Sequence, residues 1–170
     1  AILAPRMIDL KLADDKATLQ RGIDVVLAAA LLLAALMPLA LSGLRMLFAA
    51  AVPGNYASAT PLLVVLLSAL PALLVAATLS PLLGAFESIL PRLVALHATV
   101  SALNFCLLSL LVVRVGALGA ALASTLAVTA TTAGCLLLFQ RVMGGPGISR
   151  RRWLELAVVG LLPPAFALLL

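Results

Sequence analysis

LVALHATVSALNFCLLSLLVVRVGALGAALASTLAVTATTAGCLLLF, residues 93–139, decides the fold. It divides at Arg114-Val115-Gly116 into two apolar runs, Leu93–Val113 and Ala117–Phe139, of 21 and 23 residues. At about 1.5 Å of rise per residue, each run covers the ~30 Å hydrocarbon core of a bilayer. So short a connection returns the chain beside itself, and the pair reads as a transmembrane helical hairpin. Two runs of the same kind precede it, Val25–Phe48 and Pro61–Gly84, of 24 residues each and almost free of charge. A fifth, Leu154–Leu170, closes the sequence. The pattern predicts an all-α fold, a polytopic transmembrane helix bundle.

The expected divisions follow from these runs. Residues 1–24 read as the end of a preceding helix, Ala1–Ala4, followed by a cytoplasmic amphipathic connector. Residues 25–139 form four transmembrane helices, 140–153 a basic cytoplasmic loop, and 154–170 the start of a further transmembrane helix. The sequence opens without Met, on what reads as a helix already under way, so a longer parent chain is expected at both ends.

Composition agrees with a membrane location. The chain is 65% hydrophobic and 10% charged, with a mean hydropathy of +1.28, far from the balance of a soluble domain. A formal charge of +5 raises the question of nucleic acid. Its distribution answers against it, because the basic residues are short clusters between apolar runs rather than a stripe on one surface. Their placement reports orientation instead. Arg6, Lys11, Lys16, Arg21, Arg92, Arg141 and Arg150–Arg152, nine of the eleven Lys and Arg, fall on one side of four alternating spans. By the positive-inside rule that side is cytoplasmic. Only Arg45 and Arg114 fall toward the other face.

In the connector, Ile8, Leu12, Leu19 and Ile23 recur at helical spacing among charged residues, the pattern of a short interfacial helix. Pro38 and Pro71 stand near the middle of the first and second spans, where a missing N–H bends a helix. Val52-Pro53-Gly54-Asn55 is a turn signal between them. Cys106 and Cys135 differ in expected depth by about 13 Å at helical rise, too far for a disulfide, and read as packing residues.

The second half of the hairpin is built on small residues at a four-residue period. Gly116, Ala120 and Ser124 form one row, and Gly119, Ala123 and Ala127 the next. Such rows let helix backbones approach closely in lipid, so these six are expected to pack the bundle. The first half carries a polar stripe. His97, Ser101 and Asn104 are separated by four and three residues and share one face. Asn104 falls near mid-membrane, where an unpaired amide is costly. Two roles stay open for it: a hydrogen bond to Ser124, Thr125 or Thr129 of the partner helix, which is the favoured reading, or the lining of a cavity. His97 reads as an interfacial polar residue ahead of a proton relay. Arg45 either snorkels to the headgroups or faces the interior, and Arg6 and Asp24 pose the same question on the opposite side. Arg6, Asp24, Arg45, His97 and Asn104 are therefore the substrate-pathway candidates.

No catalytic or metal-ligating constellation is legible, and no enzyme activity, cofactor or metal is expected. The six acidic residues, Asp9, Asp14, Asp15, Asp24, Glu87 and Glu155, all lie in connectors or at span ends.

Taken together, several stretches resemble the C-terminal half of a polysaccharide or O-antigen flippase of the multidrug/oligosaccharidyl-lipid/polysaccharide exporter superfamily. They are Ala4-Pro5-Arg6, the Ala13-Asp14-Asp15-Lys16 connector, and Gly54-Asn55-Tyr56 onward to Leu63. The clearest are Asn104 and the run Gly116-Ala117-Leu118-Gly119-Ala120-Ala121-Leu122-Ala123-Ser124. The sequence departs from many relatives at Leu108, where a second Asn is usual, and at Val113-Arg114-Val115, where Pro precedes the glycine turn. The first departure removes one ligand from any cation site. The resemblance implies one lobe of a two-lobe, MATE-like transporter in the bacterial inner membrane, with an N-terminal half outside this sequence. It implies a lipid-linked glycan as substrate, alternating access, and Na+ or H+ as the coupling ion. A multidrug exporter or peptidoglycan-precursor flippase of the same superfamily is the alternative, followed by a membrane enzyme on polyprenyl-linked sugars using Glu87 and Arg92.

Overall fold

The computed structural model describes residues 16–51 and 59–143. The expectations at Arg6, residues 5–15, the Val52–Asn55 turn, Tyr56, the Gly144–Gly147 break, Arg150–Arg152 and Leu154–Leu170 lie outside those residues. Every described element is an α-helix: α1 Lys16–Ala51, α2 Ala59–Ser68, α3 Leu70–Gly84, α4 Leu90–Val115 and α5 Ala117–Val142. Three stretches, Leu19–Leu47 of α1, α4 and α5, are long and apolar enough to cross a membrane. The bent pair α2 and α3 makes a fourth if counted as one span.

α1 extends further than its expected span. Residues 16–24, read from sequence as part of a separate connector, are its opening turns. Leu19 and Ile23 are buried rather than turned to an interface, and they begin a stripe that continues through Val26, Ala30, Ala34, Met37 and Leu41. Steps of three and four residues keep that stripe on one face, so a single helix packs along the whole bundle. α1 passes through Pro38 without a break.

Pro71 acts differently. α2 ends at Ser68, α3 begins at Leu70, and the two are bent by 42°. Proline at the second position of α3 needs no N–H partner there. The Ala69 N–H turns to the Leu66 carbonyl at 3.2 Å, the three-residue step of a tightened turn instead of the four-residue step of an α-helix. The Val65 carbonyl is thereby left without its helical donor, and two hydroxyls donate to it. Ser68 Oγ lies 2.6 Å away, and Thr125 Oγ1 of α5 lies 3.3 Å away. Two turns further along α5, Thr132 Oγ1 donates to the Ala72 carbonyl at 2.8 Å. Both inter-helix bonds join residues 60 apart in sequence. α5 therefore runs parallel to the broken span, in register with it across the break.

α5 is the centre of the bundle, in contact with α2, α3 and α4, while α1 lies against α2 and α3. The core has two layers. Toward one end Leu19, Ile23, Leu27, Leu79, Leu83, Leu93 and Phe139 cluster, and toward the other Met37, Leu41, Val64, Val65 and Ala121. Residues from the start of α1, the end of α3, the start of α4 and the end of α5 meet in the first layer, as helices of alternating direction require. Arg21, Arg92 and Arg141 are exposed near that same end.

The α4–α5 hairpin turns at Gly116, with φ 67° and ψ −143°, a region that costs a side-chain-bearing residue about 1–3 kcal/mol. Past the turn, a Cβ at Gly119 would fall on the Leu111 backbone carbonyl, and one at Gly134 would meet the methyls of Leu96. The obstacle is rigid backbone at Gly119 and the far end of a flexible side chain at Gly134. Gly119→Ala should therefore separate the hairpin and lower stability by about 1–3 kcal/mol. Gly134→Ala should cost clearly less, because Leu96 can change rotamer. Equilibrium unfolding of both variants in detergent micelles checks the ranking, and equal losses would contradict it.

Candidate functional site

α4 meets α5 at two close approaches, Leu111 with Gly119 and Leu96 with Gly134. They are fifteen residues apart on each helix, about four turns, and so lie on one face. Midway between them on α4 stands Asn104. Here the two helices and α3 border an open cavity of about 410 Å³. Its polar wall is Ser80 of α3, His97, Ser101 and Asn104 of α4, and Ser124 and Thr131 of α5. Its apolar wall is Leu73, Ala76 and Ala77 of α3, Val100 of α4, and Ala127 and Val128 of α5.

The polar stripe read from sequence is thus gathered in one place, facing the cavity. His97 Nε2 lies 3.0 Å from Ser80 Oγ, which ties α4 to α3. His97 and Ser101 remain exposed, on the side where α3 and α4 part. Asn104 lies deeper, about 20 Å along α4 from Leu90 at helical rise, and its Oδ1 is buried with no hydrogen-bond partner.

That last finding corrects the favoured reading of Asn104. Two of its three expected partners are engaged elsewhere: Thr125 with the Val65 carbonyl and Thr129 with the Thr125 carbonyl. Ser124 lines the same cavity without bonding the Oδ1. Asp24 and Arg45 do not join this site, and Arg6 lies outside the described residues. Asp24 is exposed near the start of α1 and accepts a 3.1 Å hydrogen bond from Gln20 Nε2, one turn away. Arg45 is exposed and does not enter the described bundle. Of the six small residues, Gly119 and Ala123 are buried in the packing. Ala120 is half-buried and Gly116 forms the exposed turn, while Ser124 and Ala127 line the cavity.

Sequence reasoning missed four contributors. Ser80 and Thr131 complete the polar wall, and Thr125 and Thr132 hold the broken span. Thr125 and Thr132 do carry a signal, for they are seven residues apart and share a face of α5. Ser80 is visible only as a hydroxyl in an otherwise apolar run. Cys135 is buried, as a packing residue should be, while Cys106 is exposed and does not pack within the described bundle; both are free thiols.

Chemically the cavity offers one unpaired amide oxygen, hydroxyls on three helices and a single imidazole. Among the described residues, no group of three or more His, Cys, Asp or Glu could hold a metal ion. Glu87 and Arg92 are exposed around the α3–α4 turn, away from the cavity lining. The chain matches no family model, no curated protein and no solved structure.

A buried, unsatisfied acceptor costs about 1–3 kcal/mol. Asn104→Leu, which keeps the branched shape, projects its added bulk into the cavity and removes that acceptor, should leave the ligand-free protein as stable or more so. Thr132→Val should lose about 0.6 kcal/mol, the mean worth of an inter-helix hydrogen bond in a membrane. Steric-trap or detergent unfolding of the two variants distinguishes them. Loss of stability in Asn104→Leu would mean that the amide is a packing residue after all.

Proposed function

We propose that this chain is part of a transporter that moves lipid-linked oligosaccharide across the bacterial inner membrane, by alternating access between two helical lobes of which it supplies most of one. The observation that carries this reading is the mid-span cavity with polar side chains in a mainly apolar lining, where the buried Asn104 Oδ1 has no partner among the described residues. An intramembrane polar group facing a bundle interior marks a pathway more often than a scaffold. The spacing of the apolar runs and the resemblance at Asn104 and Gly116–Ser124 support the same assignment. So does the break at Ala69, since an interrupted span beside a cavity is a recurrent feature of alternating-access carriers. Transport on this reading involves no covalent chemistry, and its driving force is an ion or substrate gradient.

Deletion of the gene encoding the intact protein should leave lipid-linked glycan on the cytoplasmic face of the inner membrane, and complementation should restore its exposure outside. Lectin labelling of spheroplasts measures this. Normal exposure in the deletion strain would refute the proposal. Heightened drug sensitivity with normal glycan exposure would point to the multidrug branch of the same superfamily.

A further inference from the structure

We infer that the α3–α4–α5 cavity is a binding site for one uncharged, hydroxyl-bearing ring of about monosaccharide size. This rests on the transporter reading and names the group that this site receives. Three observations carry it. The first is size. About 410 Å³ is the scale of small-molecule pockets, which run from about 300 to 1,000 Å³. A single water needs only about 10–15 Å³, so one water or one dehydrated ion would leave most of the space empty.

The second is charge. Of the lining residues only His97 is ionisable, and its Nε2 is already within hydrogen-bond distance of Ser80. A phosphate or carboxylate in hydrocarbon requires a paired cation, and an ammonium requires a carboxylate. No Lys, Arg, Asp or Glu lines the cavity. The third is the pattern of the wall. The buried Asn104 Oδ1 calls for a donor, the hydroxyls of Ser101 and Ser124 both donate and accept, and Thr131, whose proton goes to the Ala127 carbonyl at 2.9 Å, accepts. Leu73, Val100 and Val128 supply an apolar surface beside them. A pyranose-like ring presents hydroxyls at its edge and C–H groups on its faces, which is the complement of such a wall. A free sugar and the sugar of a membrane glycolipid share this chemistry.

The test uses the intact protein in phosphatidylcholine nanodiscs and a diazirine-bearing octyl β-glucoside, with labelled peptides mapped by mass spectrometry. Labelling should concentrate on Val100–Asn104 and Ser124–Val128, and unlabelled octyl β-glucoside should suppress it while octyl phosphate and octyltrimethylammonium do not. Suppression by glucose alone supports a free sugar as occupant, and suppression only by the glycoside supports a tethered one. Asn104→Leu and Ser124→Ala should each weaken labelling about three- to tenfold, the worth of one hydrogen bond to a neutral partner. Ser124→Ala keeps the test decisive should Asn104→Leu fold poorly. Equal suppression by octyl phosphate, protection by sodium ions alone, or labelling indifferent to both substitutions would overturn the inference. Glycan exposure in cells is read separately: normal transport with an unlabelled cavity sinks this site alone, and a labelled cavity with normal glycan exposure in the deletion strain sinks the transporter reading alone.

Discussion

A bilayer offers no water to an unpaired carbonyl, so every backbone polar group at membrane depth must be satisfied within the protein. The break between α2 and α3 is where that constraint presses hardest, and the bundle is arranged around its solution. Once the Ala69 N–H turns to Leu66, the Val65 carbonyl needs a donor, and Ser68 supplies one from the same turn. Thr125 supplies a second from α5, and Thr132 repeats the contact two turns on at Ala72. These two threonines set α5 parallel to the broken span and fix its rotation, because both must face the same way. With that face committed to α2 and α3, the glycines at 119 and 134 are turned to α4.

The cavity is a consequence of how α4 is held. A helix pressed against its neighbour along its whole length would leave no internal space. Here α4 touches down at Leu111, whose backbone meets Gly119, and at Leu96, whose side chain lies over Gly134, positions where the absence of a Cβ makes room. Between them α5 presents Ser124, Ala127, Val128 and Thr131, and α4 presents Val100, Ser101 and Asn104. The side chains at these positions hold the helices apart, and polar ones fill the gap. In lipid the favourable term for helix association is close packing rather than hydrophobic exclusion. Concentrating that packing at two glycine sites leaves the middle of the interface open to other duties.

The spans and the hairpin turn were legible in the sequence because each depends on local properties: run length, hydropathy, and a glycine able to adopt the backbone angles found at Gly116. The bend near Pro71 was legible for the same reason. What escaped depends on which helices become neighbours. The rotation of α5 is set by bonds spanning 60 residues, so the row containing Gly119 could be named as packing while Gly134, outside any four-residue row, could not. Asn104 was placed on the correct face and given the wrong partners, since Thr125 is drawn to the Val65 carbonyl, freed 60 residues away, and Thr129 bonds back to the Thr125 carbonyl of its own helix. Leu19 and Ile23 were assigned to an interfacial connector because charged residues surround them. Their burial follows from α3 and α5 reaching the same end of the bundle.

The three walls of the cavity are unequal in what restrains them. α4 and α5 are covalently paired through Gly116 and touch backbone to backbone at Gly119, with the Leu96 side chain over Gly134 as a second contact. α3 is joined to α4 as well, through the hydrogen-bonded turn Ala85–Ile89. It meets α4 through the Ser80–His97 hydrogen bond and few other contacts, and it begins at the break. Its anchor to α5 through Ala72 lies within three residues of Ala69. The remainder of α3, from Ala76 to Ser80, carries cavity wall on one side and core residues such as Val75 and Leu79 on the other. α3 is thus held at both ends, by Thr132 at Ala72 and by the turn into α4, with Val75, Leu79, Leu82 and Leu83 fully buried between them. α4 buries only Leu93 and Val100, so the Ser80–His97 bond ties the most exposed wall of the cavity to a densely packed one.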